Sequence, residues 1–505
     1  MAFHESRVVL IETGRRVVRA GLGLGELLHV PSVEILARVG LRGNAFPGGP
    51  SSNGNSNQRG PSVRVSDYLV GAALDDALAN GETVDVYWPF AEGKVSDWTQ
   101  AEAVWKHILF QRLGIRRQLN ECPVLLSLPA KLSRMTHMLL CRMFFERFNV
   151  AGFTYIERPL ASLYGANQIS GVVIEIGQDE TDVIACFESQ LHHGSSLSIP
   201  IGTRDCERYL AQILRSNSSA TAALSPPELP VDGVELDRRL IGLARHLWQS
   251  GHVKIPIEGD KEKEEEGNLD IAALLVSGKE RTIIEAANSR KKPGQTKAER
   301  EREEREKEMA AKDLISVNYL DYPAIIVGKE RHRFCEPLFE PLALNHAIPL
   351  QTVVEMDGLS YPPPVVPRDL DLILPLQTAV HVVVKATPFP QRPHIYFGLL
   401  ITGDLGNIQG LGLALQSRLA PFLCIDRQQT ETPIPQFQAT LARTAKVPEY
   451  FAEFRDKGDL LAAFLGCGII AKMTFGDASG RNFVTKAEYG EKGPPAILGL
   501  APTLL

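Results

Sequence analysis

The sequence predicts an α/β fold made by internal duplication, two similar domains facing one another across a cleft. Three observations point there. Gly171–Glu188 carries an apolar run, the polar turn Gly177-Gln178-Asp179-Glu180 and a second apolar run, the pattern of a tight β-hairpin. Arg7–Gly23 repeats the device, with Val8-Val9-Leu10-Ile11, then Glu12-Thr13-Gly14-Arg15-Arg16, then Val17-Val18-Arg19-Ala20-Gly21. Each hairpin leads through a further extended segment towards a helix, so a βββα unit recurs. Turns from two facing hairpins can grip a phosphate chain between them, which places function in the cleft.

The elements follow in chain order. Between Leu41 and Val65, residues such as Gly48, Gly49, Pro50, Ser51 and Asn53 offer nothing to bury, so this stretch reads as a disordered loop inserted in the first domain. A helix at Gln100–Leu113 puts Ala101, Val104, Trp105, Ile108 and Leu109 on one face, towards a core. A strand at Pro123–Leu128, a helix at Arg134–Asn149, a strand at Phe153–Ile156 and a short helix from Pro159 complete the first half. Behind the second hairpin come an extended segment ending at Ile199–Gly202 and a helix at Asp205–Leu214. Charged runs then begin at Asp260–Glu266. Lys297–Lys312 sets opposite charges three or four residues apart with no apolar stripe, and reads as a solvated helix or a disordered insertion. Order resumes with a strand at Ala324–Gly328. After the Pro-rich Tyr361–Pro367 come a strand at Ile395–Ile401, a Gly-containing turn at Thr402–Gly410 and a helix. Glycines at such a turn let the backbone approach a ligand at the helix N-terminus.

Composition bounds the function. With 505 residues, 44% of them hydrophobic, the chain can fill two cores. A net charge of −6 gives no electrostatic reason to expect a nucleic-acid or membrane surface. The seven cysteines are scattered, without a CxxC pair or a histidine cluster, so reduced thiols in a cytosolic or nuclear protein are expected and a metal centre is not. Neither a signal pattern nor a membrane-length apolar window is present, so a soluble, non-secreted protein is expected.

These segments, in this order, resemble the actin-related proteins. The resemblance is densest over Phe110–Phe187, including Phe144-Phe145-Glu146-Arg147-Phe148-Asn149, Ala161-Ser162-Leu163-Tyr164-Gly165 and Gly171-Val172-Val173. It extends to Tyr87–Trp98, to Gly328-Lys329-Glu330-Arg331-His332-Arg333-Phe334, to Thr402-Gly403 and to Lys486–Pro494. It implies the duplicated two-domain, ribonuclease-H-like ATPase fold of actin. Residues 1–165 plus 455–505 would form the first domain, with its insertion at 41–65. Residues 166–454 would form the second, with its insertion at 258–320.

The family pattern would place ATP and a divalent metal between the hairpin turns, and the departures from that pattern gather there. Glu12 and Glu175 stand where the family has aspartate. Thr13 and Gly14 lead into Arg15 and Arg16, which replace serine and glycine. Beyond Gly177, Gln178 and Asp179 replace aspartate and glycine. Arg158 stands where a glutamine would position the attacking water, and a guanidinium cannot accept a proton. Arg19 keeps a cation where a lysine would touch phosphate. At the adenosine turn Gly403 is kept and Asp404 replaces a second glycine. Arg15 and Arg16 either strengthen anion binding or fill the gap. The second reading is preferred, with Arg15 or Arg16 pairing with Glu175 or Asp179 across the cleft in place of metal and phosphate. No catalytic residue and no metal are then expected. No cofactor is required, and unhydrolysed ATP or ADP is the other outcome.

The resemblance also implies an assembly. The pointed-end positions carry the loop and the charged insertion, whereas Thr444–Pro495 keeps a face for an actin-like neighbour. The pattern fits a subunit that caps the pointed end of the actin-like filament of dynactin, in the cytoplasm on the cytoskeleton, and supports microtubule-based transport. Its partners would be the barbed face of a filament subunit and other pointed-end subunits, with no direct nucleic acid and no membrane insertion. The alternative is an actin-related subunit of a SWI/SNF-type chromatin remodeller, in the nucleus, docked on a long helix of the motor subunit. Only Arg290-Lys291-Lys292 resembles an import signal for it. An enzyme of the sugar kinase and chaperone superfamily would need the turn residues that are missing.

Overall fold

A computed structural model describes residues 3–25, 28–43, 63–129, 132–228, 230–256, 309, 311–356, 369–423, 439–455, 457–476 and 482–500. Most of both expected insertions, at 44–62 and 257–308, lies outside the described residues, as do the Pro-rich connection and Cys424.

The first half begins with the expected hairpin, β1 (Val9–Thr13) and β2 (Val17–Leu22), and continues through β3 (Val33–Leu36). A small sheet of β4 (Val39–Arg42), β5 (Tyr68–Val70) and β6 (Val84–Tyr87) surrounds the helix α1 (Ala72–Ala79) in sequence. Next come α2 (Trp98–Lys106), β7 (Pro123–Leu128), α3 (Arg134–Arg142), β8 (Gly152–Glu157) and α4 (Arg158–Gly165). Asp97 starts α2 by accepting a bond from the Gln100 N–H, two residues earlier than the apolar pattern indicates. The distal turns of the first and second long helices, His107–Arg112 and Met143–Arg147, are wound as π-helix.

The second half repeats the opening with β9 (Gly171–Ile176) and β10 (Thr181–Phe187), then β11 (Gln190–Leu191), β12 (Leu197–Ile199), α5 (Thr203–Leu214), α6 (Ser218–Leu224) and α7 (Gly233–Gln249). A strand lies inside the expected insertion at 258–320. β13 (Ile315–Val317) pairs with β14 (Ile325–Val327), because Val317 packs into the core opposite Ile325. Helices α8 (Glu336–Phe339), α9 (Leu350–Met356) and α10 (Leu376–Lys385) follow. The strand expected at Ile395–Ile401 is corrected. Pro393 sits in the first turn of a helix, α11 (Arg392–Tyr396), where its fixed φ suits the helix, and only β15 (Leu399–Gly403) is extended. The chain ends through α12 (Leu411–Leu423), β16 (Thr444–Ala445), α13 (Ala462–Gly476), β17 (Val484–Thr485) and α14 (Lys486–Lys492).

Two six-stranded sheets result. The first runs β17-β8-β7-β1-β2-β3, so the C-terminal strand returns to the first half. The second runs β11-β10-β9-β15-β16, with β12 paired to β10. In each, one strand of the hairpin lies parallel to the next inner strand: β1 beside β7 and β9 beside β15. All five residues of β1 are buried, because both of its faces are covered. Val9 and Ile11 face the core of the first half, while Val8 and Leu10 face a third core shared with Val173, Ile184 and Leu400 of the second half. That shared core is threaded by α4 and α13, which cross at backbone contact. A Cβ on Gly466 would lie 1.7 Å from the Ala161 carbonyl oxygen, and one on Gly165 would lie 2.1 Å from that of Ala462.

Gly466→Ala must therefore part the two helices, and overpacking of this kind costs about 1–3 kcal/mol or more. A melting temperature several degrees below that of the parent is expected. Gly490→Ala, with open space around its Cβ, should leave it unchanged or slightly higher.

Candidate functional site

The two hairpin turns meet where the sequence places them. The first is closed by a bond from the Gly14 N–H to the Val17 oxygen at 2.9 Å, and a Cβ at Gly14 would crowd that same oxygen at 2.8 Å. Trp105 donates its indole N–H to Thr13 Oγ1 at 3.1 Å, which ties the turn to α2. The second turn is closed by the Gly177 N–H on the Glu180 oxygen at 2.9 Å. The first N–H groups of α5 are also committed to it, Thr203 to the Gly177 oxygen at 2.9 Å and Arg204 to the Gln178 oxygen at 3.0 Å.

Between the turns lies a bridge of charges. Arg158, at the start of α4, donates through Nε to Glu12 Oε1 at 3.0 Å and through Nη1 to Glu175. It thereby joins the first strands of both hairpins. Arg19 adds a longer contact to Glu12 at 3.4 Å and holds Glu34 at 3.0 Å. Glu12 is 1% exposed, and its second oxygen has no hydrogen-bond partner among the described residues. Burial opposes the charge on Arg158, but Glu175 and Glu12 outweigh it and hold its pKa above the ordinary value. Burial pushes the Glu175 carboxyl up, against the attraction of Arg158. A second bridge runs from Arg15, which pairs with Glu180 and with Asp182 at 2.6 Å. Its guanidinium would sit 3.0 Å from a Cβ at Gly93, so a glycine there makes room for it.

The expected cross-cleft pairing is thus present with other partners. Arg15 reaches Glu180 and Asp182, neither Glu175 nor Asp179. Asp179 accepts two bonds from buried Arg204 of its own half, at 2.9 and 3.0 Å. Glu175 is taken by Arg158, which the sequence marked as a departure without giving it a partner. Arg16 lines the cleft, and its charge acts on Asp404.

The cleft is not filled throughout. Outside the bridge a cavity of about 900 Å³ remains, bounded by both turns and by Arg245, Trp248, Gly403 and Asp404. The glycine at 403 has a structural cause: its φ is +86°, and a Cβ would stand 2.3 Å from the Ile176 oxygen. The next N–H, of Asp404, bonds that oxygen at 2.8 Å. Burial pushes the Asp404 carboxyl up to about 6, opposed by Arg16 and Arg19. At the far wall Arg245 of α7 makes a two-pronged pair with Glu207 of α5 at 3.0 and 2.8 Å, and Trp248 donates to the same carboxylate at 3.1 Å. Sequence reading missed this trio. The available signal was Arg245 and Trp248 three apart on one helix face.

The residues between the turns do not suit a metal ion. The two carboxylates that would hold a cation's waters already share a guanidinium, and a second cation there would meet it at close range in a poorly hydrated site. Among the described residues no group of three or more His, Cys, Asp or Glu is disposed to hold a metal ion. No described helix is long and apolar enough to cross a membrane. The six described cysteines are free thiols.

Comparison with known proteins follows this geometry. The actin family model matches residues 3–229. A Schizosaccharomyces pombe protein named SWI/SNF and RSC complexes subunit arp9 is 23% identical over 98% of this chain and 99% of its own length. Actin-related protein 7 of Oryza sativa subsp. indica is 30% identical over 33% of this chain and 47% of its own. Actin-related protein 2 of Schizosaccharomyces pombe is 24% identical over 42% and 49%. The end-to-end likeness overturns the expectation of a dynactin pointed-end cap. That expectation rested on altered turns and large insertions, features that any actin relative without turnover can carry, so they do not discriminate a filament cap from another assembly.

Two substitutions test the bridge. Arg158→Gln leaves Glu12 and Glu175 facing each other without a cation, a loss of about 3–5 kcal/mol for a broken buried pair. Glu175, whose carboxyl burial already pushes up, then favours protonation, so the deficit in melting temperature should be large at pH 7.5 and smaller near pH 5. Asp404→Asn acts the other way. An acid with a folded-state pKa raised to about 6 penalises the fold above that pH and not below about 4. The variant should gain up to about 3 kcal/mol at pH 7.5 and nothing at pH 4.

Proposed function

We propose that this chain, whose first half matches the actin family model, is an actin-related protein that works as a non-hydrolysing structural subunit of a SWI/SNF- or RSC-type chromatin-remodelling complex. The observation that carries this is the alignment with the arp9 subunit along 98% of one chain and 99% of the other. It includes the second half, beyond the region that the actin model covers. The shorter matches are confined to part of the fold, whereas this one spans the segments that set the chain apart from actin.

The absence of turnover follows from the chemistry between the turns. Hydrolysis needs a group that orients water and lets its proton leave. Arg158 is a cation bound to two carboxylates, and it can do neither in that position. No nucleotide is required to hold the halves at their present angle, because Arg158 and Arg15 span the gap themselves. The partners are then other subunits of the complex, and the location is nuclear. The cytoskeletal location falls with the dynactin reading. The two-domain division at residues 165 and 454, with residues 455–505 returning to the first domain, is part of the same proposal.

Purification of the tagged full-length chain from nuclear extract is expected to bring down a remodelling ATPase and its companion subunits in fixed proportion. Recovery with dynactin subunits, or of the chain alone, would overturn the assignment. Phosphate release from magnesium ATP by the purified chain should stay at the protein-free background. Sustained turnover abolished by Glu175→Ala would refute the claim of a non-hydrolysing cleft.

A further inference from the structure

Most arginines of the described chain are matched to carboxylates, as Arg15, Arg38, Arg42, Arg158, Arg204, Arg208, Arg245 and Arg333 are. One region of the first half is different. Lys106, Arg112, Arg116, Arg117 and Lys486 are exposed, and none has a carboxylate partner among the described residues. For a chain with more acidic than basic residues, leaving five cations uncompensated in one region is a departure from its own rule.

The contacts there bring Arg117 and Lys486 onto one face. Arg117 donates to the carbonyl oxygens of Arg147 at 2.6 Å and Glu146 at 2.9 Å, at the end of the π-wound helix that continues α3. Asn149, held at a φ of +58°, donates to the Arg117 oxygen at 2.8 Å and accepts from Lys486 Nζ at 2.5 Å. Arg117 and Lys486 are thus positioned on either side of one asparagine by neutral oxygens, which fix them without cancelling their charge. Arg147 reaches back to Glu102 on α2 at 3.8 Å, one helical turn before Lys106, and Arg116 directly precedes Arg117 in the chain. Two of the nearby acids are already engaged. Glu146 takes Arg142 and Tyr489, and Glu488 takes Lys492.

We infer that this face, centred on Arg117, Asn149 and Lys486, contacts the phosphate backbone of duplex DNA. Guanidinium forks match phosphate oxygens, and cations pre-positioned by neutral acceptors lose little freedom on contact. The face presents no exposed aromatic ring for base stacking, so contact with the backbone and indifference to sequence are what it is fitted for. The choice of DNA over an acidic protein segment rests on the remodelling reading, which puts the chain beside DNA.

The test is fluorescence anisotropy of the full-length chain with a labelled 30-base-pair duplex of arbitrary sequence, from 50 to 200 mM potassium chloride. Binding is expected to weaken with a log–log salt slope of about −4, as about five phosphate contacts require. The triple variant K106E/R112E/R116E, which touches neither the cleft nor a core, should bind at least tenfold more weakly at 50 mM salt while melting like the parent. K94E, elsewhere on the surface, should change nothing. Absence of salt-dependent binding, equal binding by the triple variant, or a preference for poly-glutamate over the duplex would each overturn the inference. A chain that purifies with a remodeller yet fails this assay would lose the DNA contact and keep its assembly. One that binds duplex but purifies with no remodeller would do the reverse.

Discussion

The structure depends on one shared cation. Glu12 and Glu175 end the first strands of two related hairpins and point into the same poorly solvated gap, where two bare carboxylates could not both remain charged. Arg158 lies between them and bonds each. Breaking such an arrangement is far more costly than never having built it, since removing the cation leaves two buried anions. Arg19 adds a second cation beside Glu12, itself shared with Glu34. The charges that meet between the turns are thus paired within the polypeptide.

The position of that cation is fixed by packing. Arg158 opens α4, and α4 runs through the core shared by the halves, closely apposed to α13 at Ala161 and Gly165. A helix held at backbone contact cannot slide, so the guanidinium at its first turn is delivered to the same place each time the chain folds. The second bridge, from Arg15 to Glu180 and Asp182, joins turn to strand near the mouth. One bridge is deep and one is superficial, and both oppose the relative rotation that would open the cleft. The cavity beyond them persists because its walls, Glu207 with Arg245 and Trp248 on one side and the turn at Gly403 on the other, are braced by bonds within the second half.

Much of this was legible in the sequence. Both hairpins, the strand Pro123–Leu128 and the helix beginning at Arg134 follow from alternation and periodicity, because burial on known faces dictates them. The degenerate turns were legible as well, since glycine giving way to Arg15 and Arg16 is visible in one dimension. The pairing was not. Which carboxylate an arginine reaches depends on the angle between two halves, and that angle is set by the shared core, to which residues from Val8 to Phe483 contribute. Hence Asp179, a plausible cross-cleft partner by position, is claimed by Arg204 from its own half. Glu207, Arg245 and Trp248 were missed because the sequence reading gave α5 only its span, Asp205–Leu214, and assigned no element over Gly233–Gln249, so nothing set the two helices side by side. The helix at Arg392–Tyr396 was hidden by an apolar run that local pattern alone cannot distinguish from a strand.

The same lesson applies to charge. A net charge of −6 describes a sum, and a sum is indifferent to place. In the cleft the acids and bases nearly cancel because they are interleaved at bonding distance. Around Asn149 they do not, because Glu146 and Glu488 are engaged by other residues while Arg117 and Lys486 are held by carbonyl and amide oxygens. Ion pairs within the chain span its cleft, so its outer surface is held without help from a ligand. Its contacts must then be of constant affinity, set by surface composition and regulated by whatever is bound to the neighbouring subunits. Uncompensated charge on a rigid face suits such a role, since its attraction is adjusted by ionic strength and by the partner's own charge, with no change of shape required of this subunit.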